Sequence, residues 1–456
     1  MSGEQIPLRD TLQEPFSACS SYFASVVGED AVCLWEDMEI AAGQRIRNAF
    51  SISAKLPSCI VYPQSQAQLG EVITLANQKQ LRVLICGSAS KLDWGGSASE
   101  IDVVICTKKI NQLIEHAVGD LTVTVEAGMK FADLQKILAK TNQFLAIDPT
   151  SPAEATIGGI IATADTGSLR QRYGSDRDQL LGITFVRPDG EIVKAGGRVV
   201  KNVAGYDLMK LFTGSYGTLG VITQATFRLY PMQETSGTVV LTGTRELIQQ
   251  AADILRGSAL TPTKADLLSA PLVSQLGLGK GLGLITCFES IGESVKEQSH
   301  RLVEVGEKLG LSASIYSADD EVNLWERLKQ LIQFSGETAT GESSIILCKV
   351  GLMPTVATEL LNQVEMGLIH MSSGLGMLRF VCDVEVESKV INKLEKLRFF
   401  CQENNGFLTI LAAPTIVKQK LDVWGYAGNS LSLMRRIKQQ FDPNNILNPG
   451  RFVGGI

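Results

Sequence analysis

Histidine is scarce in these 456 residues: His116, His300 and His370 are the only three, and no two are near in sequence. A histidine-rich metal centre is hard to build from such a chain. Each lone histidine reads as a surface or satisfied structural residue before it reads as a ligand. The nine cysteines, scattered from Cys19 to Cys401, contain no Cys-x-x-Cys. That spacing offers neither zinc nor iron–sulfur ligation. The odd count suits reduced thiols in a cytoplasmic protein better than a disulfide framework. No basic run with interleaved aromatics is present, and the net charge is −6, so nucleic acid is not an expected partner. No run approaches the ~18 apolar residues needed to span a bilayer; the richest, Gly281 to Phe288, is strand-sized. Met1 to Glu14 is polar and lacks the apolar core of a secretory signal. What remains is a globular composition with length for about three domains at ~150 residues each.

One loop stands out: Cys86-Gly87-Ser88-Ala89-Ser90-Lys91-Leu92-Asp93-Trp94-Gly95-Gly96. The strand-like run Arg82 to Ile85 feeds it, and four small residues, Gly87 to Ser90, follow. Little side-chain bulk lets the backbone approach a ligand, with Gly87 free to take unusual dihedrals. Successive amides in such a turn can hold an anion such as a pyrophosphate. The competing reading is a plain turn, since the loop fits neither the Rossmann nor the Walker pattern. Upstream, Cys59 to Val61 is a short strand ended by Pro63. Ser65 and Gln68 have capping-box spacing, and Leu69, Val72, Ile73 and Ala76 mark one helix face. Strand, helix, strand, loop is an α/β unit, whose ligands favour the carboxyl ends of strands.

Ile101 to Cys106 and Leu121 to Glu126 read as strands, and Lys130 to Lys140 as a helix. After the turn-rich Asp148-Pro149-Thr150-Ser151-Pro152 comes Ala155 to Gly167, a helix start made of small residues. Two readings stand for its glycines: amides offered to an anion or polar cofactor, or close helix–sheet packing. Leu180 to Arg187 and Glu191 to Lys194 form a hairpin across Pro188-Asp189-Gly190. Tyr206 to Phe212 reads as a helix, and Gly217 to Thr223 leads into a strand ending at Tyr230-Pro231. Beyond it, strands at Thr238 to Thr242, Leu282 to Phe288, Ile345 to Val350 and Met377 to Val384 alternate with helices from Glu246, Glu293 and Thr355. The pattern is a split βαβ, used twice over one sheet. Leu431 to Gln440 is a final helix, ended by a turn-rich arm.

Together these stretches resemble the FAD-linked oxidase family, of the vanillyl-alcohol oxidase or PCMH type. Residues 86–96 look like its pyrophosphate loop. Thr156-Ile157-Gly158-Gly159 to Gly167, with Arg172-Tyr173-Gly174, looks like its second flavin-contacting segment. Gly205 to Leu208, Leu211 to Ser215 and Gly217 to Thr223 look like its third, and Asp442-Pro443, Ile446 to Gly450 and Arg451 like its C-terminal signature. The resemblance is strong over residues 55–231, clear from Leu431 and thin between. It implies an α+β fold: a PCMH-type FAD-binding domain of two α/β subdomains, a ferredoxin-like α+β cap, and a C-terminal arm returning to the FAD domain. The expected division is a helical preamble (1–50), the FAD domain (51–231), the cap (232–425) and the arm (426–456). The FAD-contacting residues it implies are Cys86, Gly87, Ser88, Ala89, Ser90, Lys91, Leu92, Pro149, Thr150, Thr156, Gly158, Gly159, Ala162, Thr163, Gly167, Val221 and Ile222.

Within that family, Ser90 to Gly95 and the ending Pro449 to Ile456 are most like the FAD-binding subunits of glycolate oxidase (glycolate dehydrogenase). Two departures matter. Covalent relatives carry a histidine in the loop, some with a cysteine before the second segment; this chain has Ser90, and Ala153 to Ala155 contain no cysteine, so the FAD is expected to be non-covalent. Relatives acting on D-2-hydroxy acids carry a Gly-Glu-His-Gly motif and paired cap histidines holding a metal; this chain has neither, so no metal site and no catalytic base can be named. Lys349 and Arg379 could meet a substrate carboxylate, but long cations in a cap usually face solvent. The expectation is therefore a cytoplasmic flavin subunit of a glycolate-oxidising complex, reaching the inner membrane only through partners. It would act with a sister flavin subunit and pass electrons from a small 2-hydroxy acid to an iron–sulfur subunit. The alternatives are a self-sufficient FAD-dependent D-lactate or glycolate dehydrogenase, or a non-catalytic flavin-binding subunit.

Overall fold

The computed structural model describes residues 16–198, 205–333, 343–383 and 387–456. The polar N-terminal stretch, Met1 to Glu14, and the last residue of the predicted strand ending at Val384 lie outside the described residues. The chain makes three principal sheets. In the first, β1 (Val32–Leu34), β2 (Cys59–Val61), β3 (Val83–Cys86) and β4 (Val103–Cys106) run in the order β1-β2-β4-β3. β2 and β3 both lie parallel to β4. Helices α1 (Phe16–Val27) and α2 (Gln66–Gln78) cover one face: Phe23 and Val27 join Leu69, Val72, Ile73 and Ala76 over Val83, Val103 and Ile105. The predicted cap of α2 forms, with the Gln68 amide donating to Ser65 Oγ at 3.2 Å. The Gln68 side chain reaches back to the amide of Gln64 at 2.8 Å, one residue beyond the usual capping-box partner. The segment expected as a helical preamble contributes β1, antiparallel to β2, so it completes the edge of this sheet.

The second sheet is antiparallel, in the order β8-β7-β9-β6-β5, from β5 (Leu113–Ala117), β6 (Thr122–Glu126), β7 (Leu180–Val186), β8 (Ile192–Gly196) and β9 (Val221–Arg228). The predicted hairpin is β7–β8, turned at Gly190 with φ +86°. Helices α3 (Phe131–Ala139) and α4 (Ile157–Thr163) bury Phe131, Leu134, Ile157, Ile160 and Ile161 against Val123, Val125, Phe185 and Phe227.

The third sheet has eight strands: β10 (Thr235–Gly243), β11 (Lys264–Leu268), β12 (Leu282–Ser290), β13 (Ser312–Tyr316), β14 (Ser343–Gly351), β15 (Met366–His370), β16 (Leu375–Asp383) and β17 (Phe407–Ala412). Their order, β13-β10-β12-β11-β15-β16-β14-β17, reads 4-1-3-2 in the first half and its mirror, 2-3-1-4, in the second. Every neighbouring pair is antiparallel. This is the split βαβ unit used twice, joined where β11 meets β15. Helices α5 (Arg245–Gly257), α6 (Gly292–Leu309) and α8 (Glu387–Glu403) pack on one face. The short helix Ala270–Leu276 and α7 (Ala318–Gln333) cover part of the other. The remainder of that face lays Leu347, Met377 and Leu411 against Trp94 and Tyr216. Alternation along β14 produces this, with Ile346, Cys348 and Val350 under the helices and Leu347 and Lys349 turned the other way.

The last helix, α9 (Leu431–Phe441), sets Ile437 and Phe441 on the second core, and the arm beyond it buries Ile446 and Leu447 in the first. The arm runs beside β3: the Val83 amide donates to Ile446 O at 2.8 Å and the Asn448 amide to Val83 O at 3.0 Å.

Candidate active site

The end of β3, the N-terminal turn of α4, the start of β9 and the arm converge on one cleft of about 770 Å³. Of the residues expected to contact FAD, it brings together Cys86, Gly87, Ser88, Ala89, Ser90, Lys91, Leu92, Thr156, Gly158, Gly159, Ala162, Thr163, Val221 and Ile222. The amides of Ser88, Ala89, Ser90 and Lys91 have no backbone or side-chain acceptor among the described residues. Ala89 takes φ +61°, the left-handed region that curves such a loop around an anion. Gly87 is not the residue with the unusual dihedral. Its need is space, since a Cβ there would sit 2.2 Å from Thr156 Oγ1.

The glycines of α4 serve mainly the packing alternative. The amides of Ile157 and Gly158 donate to Met129 O and Ala127 O at 2.9 and 2.8 Å, and that of Gly159 to Thr156 Oγ1 at 3.3 Å. The helix start therefore has few amides left for an anion, and a Cβ on Gly158 would lie 2.9 Å from that of Ala127. Gly159 differs: apart from Thr156 Oγ1 at 3.1 Å its missing side chain opens into the cleft.

Pro149, Thr150 and Gly167 do not line the cradle. The Thr150 amide and hydroxyl both donate to Asp165 Oδ2 at 3.0 Å, and the Gly167 amide to Asp148 Oδ1 at 3.0 Å. Thr150 and Gly167 instead border an outer cleft of about 450 Å³, with Asp148, Lys329 and His370. Cradle residues outside the expected set are Ile85, Thr107, Tyr216, Gly217, Gly220, Asn448 and Arg451. Gly217, Gly220, Asn448 and Arg451 sit in segments that carry the family resemblance; Tyr216 and Thr107 carry no sequence signal. Asn448 Oδ1 accepts from the Ile85 amide at 2.7 Å, and its Nδ2 donates to Tyr216 O at 2.6 Å. Arg451 is buried with no carboxylate partner among the described residues; its guanidinium donates to Leu92 O at 2.5 Å, Trp94 O at 2.7 Å, and the carbonyls of Gly96 and Ala49. Burial pushes it down to about 10.

A smaller inner cleft of about 370 Å³ adjoins the cradle, between Trp94, Asp165, Thr166 and Arg170 on one side and Lys349, His370 and Met377 of the eight-stranded sheet on the other. The two clefts share a wall: Lys91, on the cradle, lies 2.7 Å from Asp165 Oδ2, on the inner cleft, and both are buried. Lys349 faces this cleft, not open solvent. Its ammonium donates to Ala164 O at 3.2 Å, and burial holds it below the usual lysine range against the pull of Asp165 and Asp176. Arg379 does not line the inner cleft. Asp176, buried behind Thr166, accepts that hydroxyl at 3.0 Å and is pushed up to about 6 by burial.

His116 bonds Gln143 at 2.9 Å and His300 is exposed, as expected of structural or surface histidines. His370 is buried, with Nδ1 2.6 Å from Asp266 Oδ1, while it lines both the inner and the outer cleft. Among the described residues no three His, Cys, Asp or Glu side chains group as a metal site.

The cradle fits an extended dinucleotide. Unpaired loop amides suit a pyrophosphate, and Ile85, Leu92, Val221 and Ile222 offer apolar walls to flat rings. The profile of the FAD binding domain matches residues 57–196, and that of the C-terminal domain of FAD linked oxidases matches 424–452. The chain is 25% identical over 426 residues to the glycolate oxidase subunit GlcD of Bacillus subtilis (strain 168), covering 87% of this chain and 89% of that one. It is 27% identical over 432 residues to the mitochondrial D-lactate dehydrogenase [cytochrome] of Arabidopsis thaliana, covering 89% and 75%. Its backbone superposes on p-cresol methylhydroxylase with substrate bound at a TM-score of 0.73 and 17% identity, over 96% of each chain. Fold and site define a flavoprotein. The chain carries an FAD binding domain and a segment like the C-terminal domain of FAD linked oxidases, and FAD is its cofactor.

Proposed function

We propose that this chain is an FAD-dependent dehydrogenase of a small 2-hydroxy acid, with the acid bound in the inner cleft. The carrying observation is a dinucleotide cradle sharing a wall with a small cleft that presents two cations, Lys349 and Arg170. Lys349 uses one donor on Ala164 O, leaving others for a carboxylate, and Arg170 offers a planar fork for the same group. Trp94, Met377 and Leu411 form apolar walls that exclude water around the acid. When bound, FAD supplies the hydride acceptor for such a substrate. Likeness to a glycolate oxidase subunit and to a D-lactate dehydrogenase supports this class of acid, and the former favours glycolate.

That same likeness supports a second reading: a flavin subunit in a cytoplasmic assembly, beside a sister flavin subunit and an iron–sulfur partner that receives the electrons. No helix among the described residues is long and apolar enough to cross a membrane, so in this reading any membrane contact comes through partners. The subunit reading leans on a chain without a visible base; with His370 on the cleft wall that ground weakens, and the self-sufficient dehydrogenase leads. The test is anaerobic stopped-flow absorbance of the isolated holoprotein with glycolate and with D-lactate. Rapid, saturable bleaching supports the leading reading. Bleaching that stays slow until the two partner subunits are added supports the assembly. Lys349→Met should raise the half-saturating acid concentration about tenfold, the loss of roughly 1.4 kcal/mol.

A further inference from the structure

Asp266 and His370 are directly opposed residues on β11 and β15, the two strands that join the halves of the eight-stranded sheet. They are 104 residues apart in sequence. Both side chains are buried. Asp266 Oδ1 lies 2.6 Å from His370 Nδ1, and its other oxygen accepts from Ser168 Oγ at 2.5 Å. The carboxylate is thus held at both oxygens, once by the sheet and once by the segment following α4. An ionised Asp266 needs a proton on Nδ1, which leaves the lone pair of the neutral ring on Nε2. Nε2 has no hydrogen-bond partner among the described residues, and the ring borders the inner cleft beside Lys349 and Arg170. A base oriented by a buried carboxylate, itself fixed by a third group, is the arrangement that activates hydroxyls in many enzymes.

Resting on the hydroxy-acid reading above, we infer that His370 is the catalytic base that takes the substrate's hydroxyl proton, and that Asp266 positions it. The O–H bond breaks and its proton goes to Nε2. The Cα–H bond breaks with its electron pair, for which FAD, when bound, would be the two-electron acceptor. The C–O bond becomes C=O, so a 2-hydroxy acid is oxidised to a 2-oxo acid by two electrons. Lys349 and Arg170 hold the carboxylate, directing the adjacent hydroxyl toward the ring. A purely structural dyad would leave the ring among packed side chains; here the ring lines a cleft on each side.

The experiment uses the full-length holoprotein and its His370→Gln and Asp266→Asn variants. Anaerobic flavin reduction by glycolate and D-lactate is followed by stopped flow from pH 5 to 9. Binding of 2-hydroxyisobutyrate, which has no α-hydrogen to lose, is followed by perturbation of the flavin spectrum. For His370→Gln the reduction rate should fall about 100- to 10,000-fold, with flavin content and 2-hydroxyisobutyrate affinity within about threefold of wild type. Asp266→Asn should lose about 10-fold or more. It also serves, as a near-isosteric change, if the histidine variant fails to fold.

Wild-type reduction should rise with pH, as a reaction that needs a free proton acceptor does, and His370→Gln should lack that limb. Asp266, Asp165, Lys349 and Arg170 face the ring from the inner side, and Asp148 and Lys329 from the outer cleft. They are present in wild type and variant alike, so a limb missing only from the variant belongs to His370. A variant reduced within threefold of the wild-type rate overturns the assignment and leaves the hydroxy-acid reading standing. A structural role would appear as lost flavin content with an unchanged rate per bound flavin, and also overturns it. A wild type that neither bleaches with the two acids nor binds 2-hydroxyisobutyrate overturns both.

Discussion

Two glycines on the cradle wall lack a side chain for different reasons. At Gly87 a Cβ would strike Thr156 Oγ1 at 2.2 Å, at the N-cap of α4; at Gly159 it would meet that oxygen at 3.1 Å and otherwise enter the cleft. Gly87→Ala should therefore cost the fold about 1–3 kcal/mol by overpacking. Gly159→Trp should leave the apoprotein near its normal melting temperature while flavin content collapses. Flavin-to-protein absorbance ratios and thermal melts of the two apoproteins separate the effects; full flavin occupancy in Gly159→Trp would mean the cleft is not the cradle. Asp176 gives a test with a sign. Its carboxyl is raised to about 6 in the folded protein, by burial first, against roughly 3.9 unfolded. Between those values the folded state binds a proton that the unfolded state does not, so this group's contribution to stability falls as pH rises through the window and stays low above it. Asp176→Asn should then be more stable than wild type by roughly 2–3 kcal/mol at pH 8, with the gain vanishing near pH 4. A melting difference that is flat between those limits would contradict the burial argument. At this scale the cradle was legible because small residues in runs have few other uses. The dyad was not, because Asp266 and His370 become neighbours only through strand pairing.

The C-terminal arm is an element whose work is done on another element's loop. Arg451 gathers four main-chain carbonyls, three of them from the loop segment 92–96, and Asn448 ties β3 to Tyr216. A lysine cannot reproduce this, because one ammonium lacks the planar fork that reaches several carbonyls at once. Arg451→Lys should leave buried carbonyls unsatisfied, at about 1–3 kcal/mol for each such group, and weaken FAD binding at least tenfold by titration of the apoprotein. Unchanged affinity would reduce the arm to a passive strap. Elements were unevenly legible. α2, α6, the β7–β8 hairpin and α9 could be read from spacing, turn residues and caps. α7 carries a readable stripe at Leu324, Leu328 and Ile332. Strands β11, β13, β15 and β17 are short, and β15, buried at all five positions, has no alternation to read. The order of eight strands is a matter of long-range pairing, to which local pattern is blind.

At the scale of the molecule, the cradle draws on segments near residues 86, 159, 217 and 450, so no single unit of the chain contains it. The eight-stranded sheet and the short helix Thr415–Lys420 after it are tied to the cradle's elements at several points. Ser168 donates to Asp266 at 2.5 Å, Lys349 to Ala164 O at 3.2 Å, the Gly95 amide to Leu411 O at 3.2 Å, and Lys418 to the carbonyls of Asp93 and Gly95. All four ties begin or end on the loop 86–96 or the segment following α4, the segments that FAD would order. A ligand that binds only the folded state stabilises by RT ln(1 + [L]/Kd), about 2.7 kcal/mol at a hundredfold excess over Kd. If the ties transmit that gain, the sheet of residues 235–412 should share it although it contributes no residue to the cradle. Scanning calorimetry of the apoprotein with increasing FAD should then give a transition that moves upward as a whole. Hydrogen exchange should slow in β14 and β16 as well as in β3. Two resolved transitions, with only the one containing β3 moving, would mean that the cap folds and melts by itself. The inner cleft would then form between parts free to separate, instead of being held in place by the cofactor.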